Sequence, residues 1–227
     1  MKKFLVLAIM SVFTALGANA QYRGTYRGSS SRYTTVVPSR RQYPLGFGYN
    51  RPYFGLRGGA TFSNISGDDY KGGDMKTGVN AGMALGFPLS SYMPLYLETG
   101  AYYVEKGEKN LKHTSIKSNL DYVEMPFVFK YQHYFDGHAS IQPYFGAYAA
   151  VGVGGKTRDV NSKTSLNSFG DNGSFKRWDA GLKFGLGLSY DLFYAEVNYD
   201  WGLANISKIP YEEAKNNALT VNVGVNF

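Results

Sequence analysis

Charged side chains recur at alternate positions in segments of this sequence that are otherwise apolar and aromatic. The stretch LDYVEMPFVFKY (120–131) shows the pattern: every second residue from Val123 to Tyr131 is apolar or aromatic, whereas Glu124 and Lys130 lie on the opposite face. Facing carboxylates and basic groups can exchange protons, conduct ions or neutralise one another. The candidates for such chemistry are Arg57, Glu98, Glu124, Lys130, Arg177, Asp179, Lys183, Glu196 and Asp200.

The spacing of these charges disfavours catalysis. Glu196 and Asp200 are four residues apart on an extended chain, which separates them by about 13 Å. No His/Ser/Glu set shares one strand face, no metal-ligand spacing is visible, and the chain has no cysteine. We therefore predict a non-enzymatic protein without catalytic residues, cofactors or metal ligands, in which the charges pair with one another.

Glycines are concentrated in the same segments. The runs GVGG (152–155) and GLKFGLGL (181–188) superficially resemble phosphate-binding loops, but neither is followed by the Lys-Ser/Thr pair or the helix that such loops need. Small residues on a crowded inner face explain them better.

The elements that carry these residues have the two-residue period of β-strands. Most are longer than the 9 to 11 residues that a tilted membrane strand needs. Their connections alternate between short turns and long polar loops, which is typical of a transmembrane β-barrel. The fold class predicted is all-β, an eight-stranded antiparallel transmembrane barrel. Its strands are expected at about 53–65, 76–89, 94–106, 117–134, 139–155, 175–190, 192–205 and 217–227.

A membrane environment accounts for both faces of the strands. Lipid would contact the apolar face. Aromatic rings would form a girdle at the short-turn end, namely Tyr53, Phe54, Phe87, Tyr92, Tyr131, Tyr134, Phe135, Tyr190, Phe193, Tyr194 and Phe227. The charged face would line an interior only wide enough for side chains. Pro126 has no N–H for the ladder, so a bulge or an unpaired position is expected there.

The N-terminal part of the chain has a different composition. Residues 1–20 combine Lys2 and Lys3, an apolar run and a small-residue cleavage site at Ala18–Ala20, which predicts a secretory signal peptide. Residues 21–52 alternate Gly, Ser, Arg, Tyr and Pro without a period, which predicts a disordered arm before the barrel at 53–227.

The positive charge of the chain belongs to this arm. The arm holds six arginines and no acidic residue, whereas residues 53–227 carry 16 basic and 17 acidic groups. We therefore expect no nucleic-acid partner. The arm could instead bind an envelope protein, peptidoglycan or anionic lipid, or act as an inert tether. The candidate binding residues are Arg23, Arg27, Arg32, Arg40 and Arg41.

Three segments carry a family resemblance. YFGLRGGATFSNI (53–65), LYLETGAYYVEKG (95–107) and LDYVEMPFVFKY (120–131) together resemble the PorT-type outer-membrane β-barrel family of Bacteroidetes. The terminal Phe227 resembles the C-terminal signal read by the barrel assembly machinery. The resemblance covers roughly residues 53–227 and implies a location in a Gram-negative outer membrane. The founding member of the family is associated with a secretion system, so the resemblance also implies a role in secretion.

These observations lead to one expected function and one alternative. We expect a structural or partner-binding scaffold of the outer membrane, with the arm and short turns in the periplasm and the long loops outside. The alternative is a narrow, porin-like channel for ions or small solutes. A soluble lipocalin-like barrel is disfavoured because it would place apolar residues inward.

Overall fold

The structure, a computed structural model, describes residues 51–67, 74–90, 93–109, 116–135, 138–159, 165–170 and 173–227. The predicted signal peptide, nearly all of the predicted arm with its five candidate arginines, and Tyr92 lie outside the described residues. In the part that is described, no helix is long and apolar enough to cross a membrane.

The described residues form eleven strands of one antiparallel sheet. The strands are β1 (Tyr53–Ser66), β2 (Asp74–Pro88), β3 (Leu95–Lys109), β4 (Ile116–Tyr131), β5 (His133–Tyr134), β6 (Ala139–Gly154), β7 (Lys156–Asp159), β8 (Ser165–Asn167), β9 (Trp178–Tyr190), β10 (Phe193–Gly202) and β11 (Lys215–Asn226).

The eight long strands close into a barrel. Each pairs with its neighbour in the order β1, β2, β3, β4, β6, β9, β10, β11, and β11 returns to β1 through twelve register pairs from Gly55↔Asn226 to Ser66↔Lys215. Closure leaves no unpaired edge among these eight strands, which a membrane-spanning sheet requires. The predicted eight-stranded barrel is thereby confirmed. The short strands β7 and β8 extend the wall beyond β4 at the end that carries the long loops.

The two faces of the wall have the predicted polarity. Exposed residues on the outside include Leu56, Val79, Met125, Phe127, Phe129, Phe145, Leu186, Val197, Trp201 and Val221. Buried residues on the inside are largely polar, charged or tyrosine. This arrangement suits a wall that contacts lipid on its outer face.

Two expectations about local structure can be examined directly. Opposite Pro126 the ladder between β3 and β4 is interrupted, because pairing stops at Thr99↔Phe127 and resumes at Tyr102↔Glu124 in the same register. The site is thus unpaired on its β3 side and is not a bulge, whereas Pro126 stays paired with Tyr148 of β6 on its other side. The prediction of the aromatic girdle is partly wrong. Phe87, Tyr190, Phe193 and Phe227 are exposed as expected, but Tyr53 and Tyr194 are buried.

Candidate functional site

Strand alternation brings most of the predicted charges into the barrel interior. On β10, for example, Glu196, Asn198 and Asp200 are buried, whereas Val197, Tyr199 and Trp201 are exposed. Charged side chains from β1, β3, β4, β9 and β10 meet in this way across the lumen. They form two groups, one nearer the short turns and one nearer the long loops.

The first group is the Arg57 layer, defined by Arg57, Glu98, Lys130 and Glu196. The guanidinium of Arg57 donates two hydrogen bonds to Glu98, of 2.9 Å to Oε1 and 2.7 Å to Oε2. It also lies 3.3 Å from Glu196 Oε2, while Lys130 Nζ lies 2.7 Å from Glu98 Oε2. Two cations thus neutralise two carboxylates in a water-poor interior, where an unpaired charge would be costly.

Tyrosines and one amide complete this layer. The hydroxyl of Tyr144 donates to Glu196 Oε2 at 2.8 Å, and that of Tyr194 donates to the same oxygen at 2.9 Å. Asn222 donates to Glu196 Oε1 at 2.9 Å. Tyr53 donates to Glu98. Tyr53 and Tyr194 therefore act inside the barrel, because the alternation of β1 and β10 turns them toward the lumen and away from the membrane interface.

The second group is the Lys106 layer, defined by Lys106, Glu124, Lys183 and Asp200. Lys106 Nζ lies 2.7 Å from Glu124 Oε2 and 2.9 Å from Asp200 Oδ2. Lys183 Nζ lies 2.9 Å from Glu124 Oε1 and 2.5 Å from Asp200 Oδ1. Each lysine thus bridges both carboxylates, and the four groups form a ring of alternating charge.

Asp179 lies apart from both layers. Its carboxylate accepts hydrogen bonds from Asn216 at 3.0 Å and from the hydroxyl of Tyr148 at 3.5 Å. Among the described residues it forms no salt bridge. Neutral donors therefore satisfy this buried carboxylate.

Arg177 is not a member of the lumen network. Its side chain is exposed, and its guanidinium donates to the carbonyl oxygen of Gly152 at 3.0 Å. The reason is that β9 begins at Trp178, so Arg177 precedes the strand and does not follow its alternation.

Lys106 is one of three buried charged residues, among those described, that the sequence analysis missed; the others are Lys76 on β2 and Glu108 on β3. The predicted third strand ended at Lys106, but β3 continues to Lys109, and its alternation turns Val104, Lys106 and Glu108 inward. The two-residue alternation continues past the predicted end of the strand, and this was the sequence signal that could have identified Lys106. With Arg177 excluded and Lys76, Lys106 and Glu108 included, the described interior holds five basic and six acidic groups, against four and five in the predicted set.

Inward glycines accommodate the tyrosine rings. A Cβ at Gly86 would lie 2.1 Å from Cε1 of Tyr53, and one at Gly185 would lie 2.2 Å from Cζ of Tyr144. At Gly187 the nearest atom would be the Tyr194 hydroxyl, at 2.3 Å. Tyrosines of one strand cover glycines of the next, which explains the glycines of 181–188 without a phosphate loop.

Little space remains between the two layers. The cavity there has a volume of about 30 Å³ and is lined by residues of both layers and by Tyr102, Asn198 and Thr220. A polar cavity of that size holds on the order of two water molecules. Glu196 and Asp200 belong to different layers, and each is engaged by its own cations, so the arrangement provides no free acid–base pair.

The long-loop end is closed by a cap, the described parts of residues 165–177 and 203–214. The main chains of the two loops bond to each other, from Lys176 N to Ile206 O at 2.7 Å and from Lys208 N to Ser174 O at 3.0 Å. Phe169, Phe175 and Ile206 are buried below them. The ring of Phe169 lies edge-on to Tyr122, with centroids 5.5 Å apart. The cap thus joins an apolar cluster in the mouth of the barrel.

Comparison with known proteins points to one family. The model described as "Outer membrane protein beta-barrel domain" matches residues 19–208. No curated protein is matched by the sequence.

Several solved outer-membrane barrels are similar in shape. Neisserial surface protein A is 17% identical with a TM-score of 0.47, over 77% of this chain and 97% of that one. The attachment invasion locus protein Ail of Yersinia pestis is 14% identical with a TM-score of 0.42, over 77% and 98%. A major outer membrane protein from Thermus thermophilus is 12% identical with a TM-score of 0.45, over 78% and 100%.

Proposed function

Because the chain belongs to the outer membrane protein β-barrel domain family, we propose that it is a non-enzymatic structural or partner-binding protein of the outer membrane. One observation carries this proposal. The lumen is filled by two self-neutralised charge layers with a cavity of about 30 Å³ between them. Because the lumen is blocked, the function of the barrel would reside in its loops, its outer surface or its N-terminal arm, and not in a pore.

The proposed orientation follows the usual plan of such barrels. The arm and the short turns face the periplasm, and the long loops with the cap face outward. The arm between residues 21 and 52 is then a tether or a basic recruiting segment for an envelope protein or peptidoglycan. A PorT-type role in secretion is the finer form of this proposal and rests on the sequence resemblance.

An in-cell cross-linking pull-down tests the proposal. The mature chain is compared with a chain that keeps the signal peptide but lacks residues 21–52, at matched outer-membrane levels. A partner captured with the arm and lost without it would make this a recruiting scaffold. A partner captured by both chains would assign binding to the barrel and its loops. Absence of a specific partner in both would reject a binding role.

The second candidate function is a narrow channel. It is favoured by the polar interior, since charged and amide groups line the lumen from Glu98 through Asn198 to Asp200. Conduction would require the ion pairs of both layers and the cap to separate. Conductance measurements distinguish the two functions.

A further inference from the structure

Four basic side chains form a patch on the outer surface of the wall at its long-loop end. Lys109 ends β3, Lys117 lies near the start of β4, and Lys156 and Arg158 lie on β7. All four are exposed. We call these four residues the basic patch. They belong to neither the Arg57 layer nor the Lys106 layer.

The strand register places these charges side by side. Lys117 pairs directly with Arg158 across β4 and β7. Glu108 pairs with Ser118, so Lys109 and Lys117 are the next residues outward on β3 and β4. Like charges directly opposite one another destabilise a sheet. A register that aligns them across three strands is therefore costly unless an anion lies between them.

The described residues do little to neutralise the patch. Among the described residues, none of the four basic groups is in a salt bridge. Asp74 faces Lys109 across β2 and β3 at the edge of the patch. The pair Glu105↔Asp121 lies lower on the wall. No salt bridge among the described residues thus neutralises the centre of the patch, at Lys117 and Arg158.

The height of the patch indicates what that partner is. On β4 the outward residues from Val123 to Tyr131 are apolar or aromatic, and Asp121 is the first outward charge above them. With a rise of about 3.3 Å per residue and a tilt of about 40°, the ten steps along the chain from Tyr131 to Asp121 span roughly 25 Å, the usual height of the apolar band. Lys117 lies about 10 Å above that boundary. A lysine or arginine stem can extend from there down to the headgroups.

We propose that the basic patch binds the phosphate groups of a membrane lipid headgroup in the leaflet at the long-loop end. The patch is continuous with the lipid-facing surface of β3 and β4, so its ligand can bury acyl chains against that surface while its phosphates lie between Lys117 and Arg158. A bisphosphorylated glycolipid suits this geometry, because its separated phosphates match cations on adjacent strands.

Native mass spectrometry of the full mature chain in detergent, titrated with diphosphoryl lipid A, tests the proposal. The variant is Lys117→Gln/Arg158→Gln. The matched control is Lys176→Gln/Lys215→Gln, which removes the same charge at the same end of the barrel but outside the patch. Heat-modifiable migration on a gel verifies that both variants are folded. Three further titrations use lipid A without phosphates, the deacylated bisphosphorylated disaccharide, and inorganic phosphate.

We expect the patch variant to bind lipid A about 25-fold more weakly, since each basic group near a membrane surface contributes about fivefold. The control should change by less than about twofold, and lipid A without phosphates should bind all forms equally weakly. Equal losses in both variants, or no loss in the patch variant, would overturn the proposal. Equal affinity for the deacylated disaccharide would assign the patch to a soluble saccharide, and displacement by inorganic phosphate would assign it to free phosphate; either result would overturn the lipid assignment.

Discussion

Lys106 on β3 and Glu124 on β4 form an ion pair of 2.7 Å inside the barrel, with 0% and 2% of their side chains exposed. The same lysine reaches Asp200 on β10, on the far side of the lumen. The Lys106 layer therefore crosslinks strands that are not neighbours in the sheet. The contacts that fill the lumen therefore also link opposite sides of the barrel wall.

Replacement of Lys106 by Met should destabilise the barrel strongly. The change leaves Lys183 alone to neutralise Glu124 and Asp200 in a buried site, and loss of one partner of a buried ion pair typically costs about 3–5 kcal/mol. The free energy of unfolding in urea, measured for the protein refolded into lipid vesicles, should fall by that amount.

The matched control is Lys215→Met. Lys215 pairs with Glu213 at 3.1 Å, but both side chains are partly exposed. Loss of a surface pair costs about 0–1 kcal/mol. If both variants lose the same stability, the Lys106 layer does not hold the barrel together.

A methyl group at Gly86 should also be destabilising. The Cβ of Gly86→Ala would meet the ring of Tyr53, which itself donates to Glu98. Overpacking of this kind costs about 1–3 kcal/mol. Gly58→Ala, on the outer face of the adjacent strand, is the control, because the nearest atom to its Cβ is 3.5 Å away. It should be neutral or stabilising by up to about 1 kcal/mol; a larger loss at Gly58 than at Gly86 would contradict the packing described.

The fold was predictable because a barrel repeats one local rule. Two-residue alternation sets the inner and outer faces, and the closing pairs between β1 and β11 follow from the number of strands. Most predicted strand ends lie within three residues of the observed ones. Membership of the lumen network was predicted less well. Arg177 lies just before β9, and Lys106 lies within a β3 that continues further than predicted. Lys76 is buried on β2 although it lies inside the predicted second strand.

The contacts across the lumen could not be predicted from the sequence. The alternation of β1 and β10 predicts that Tyr53 and Tyr194 face the lumen. Their aromatic character predicts the membrane interface equally well, so the sequence did not decide between the two positions. Which carboxylate each cation meets depends on the relative height of strands around the barrel. The cap depends on contacts between Phe175 and Ile206, which come from two loops far apart in the chain.

Phe175→Ala should loosen the cap without unfolding the barrel. Phe175 is 1% exposed in the apolar cluster of the mouth, and loss of a buried phenylalanine side chain costs about 3–5 kcal/mol. If the free energy needed to open the cap falls by about 3 kcal/mol, the open form becomes roughly a hundredfold more populated. Tryptic cleavage after Lys176 and Lys208 should then accelerate by the same factor. Heat-modifiable migration should persist. Leu166→Ala, at a side chain that is 56% exposed, is the control and should leave cleavage unchanged; unchanged cleavage in both variants would show that Phe175 does not hold the cap.

Phe227→Ala should reduce assembly of the barrel in cells without reducing the stability of the refolded protein. The side chain is 59% exposed, whereas its backbone N–H bonds to Phe54 O at 2.7 Å and is kept in the variant. Refolded stability should change by no more than about 0.5 kcal/mol, as at other exposed positions. The amount of heat-modifiable barrel in outer-membrane fractions should fall. Normal amounts in cells would argue against recognition of Phe227 by the assembly machinery.

The most direct test of the closed lumen is the single-channel conductance of the full mature chain in planar lipid bilayers. The two charge layers and the cap predict a flat current at physiological salt and moderate voltage, for the natural protein and for the exposed control Lys215→Met alike. Steady conductance steps from the natural protein, increasing with salt concentration, would contradict a closed lumen and establish the channel instead.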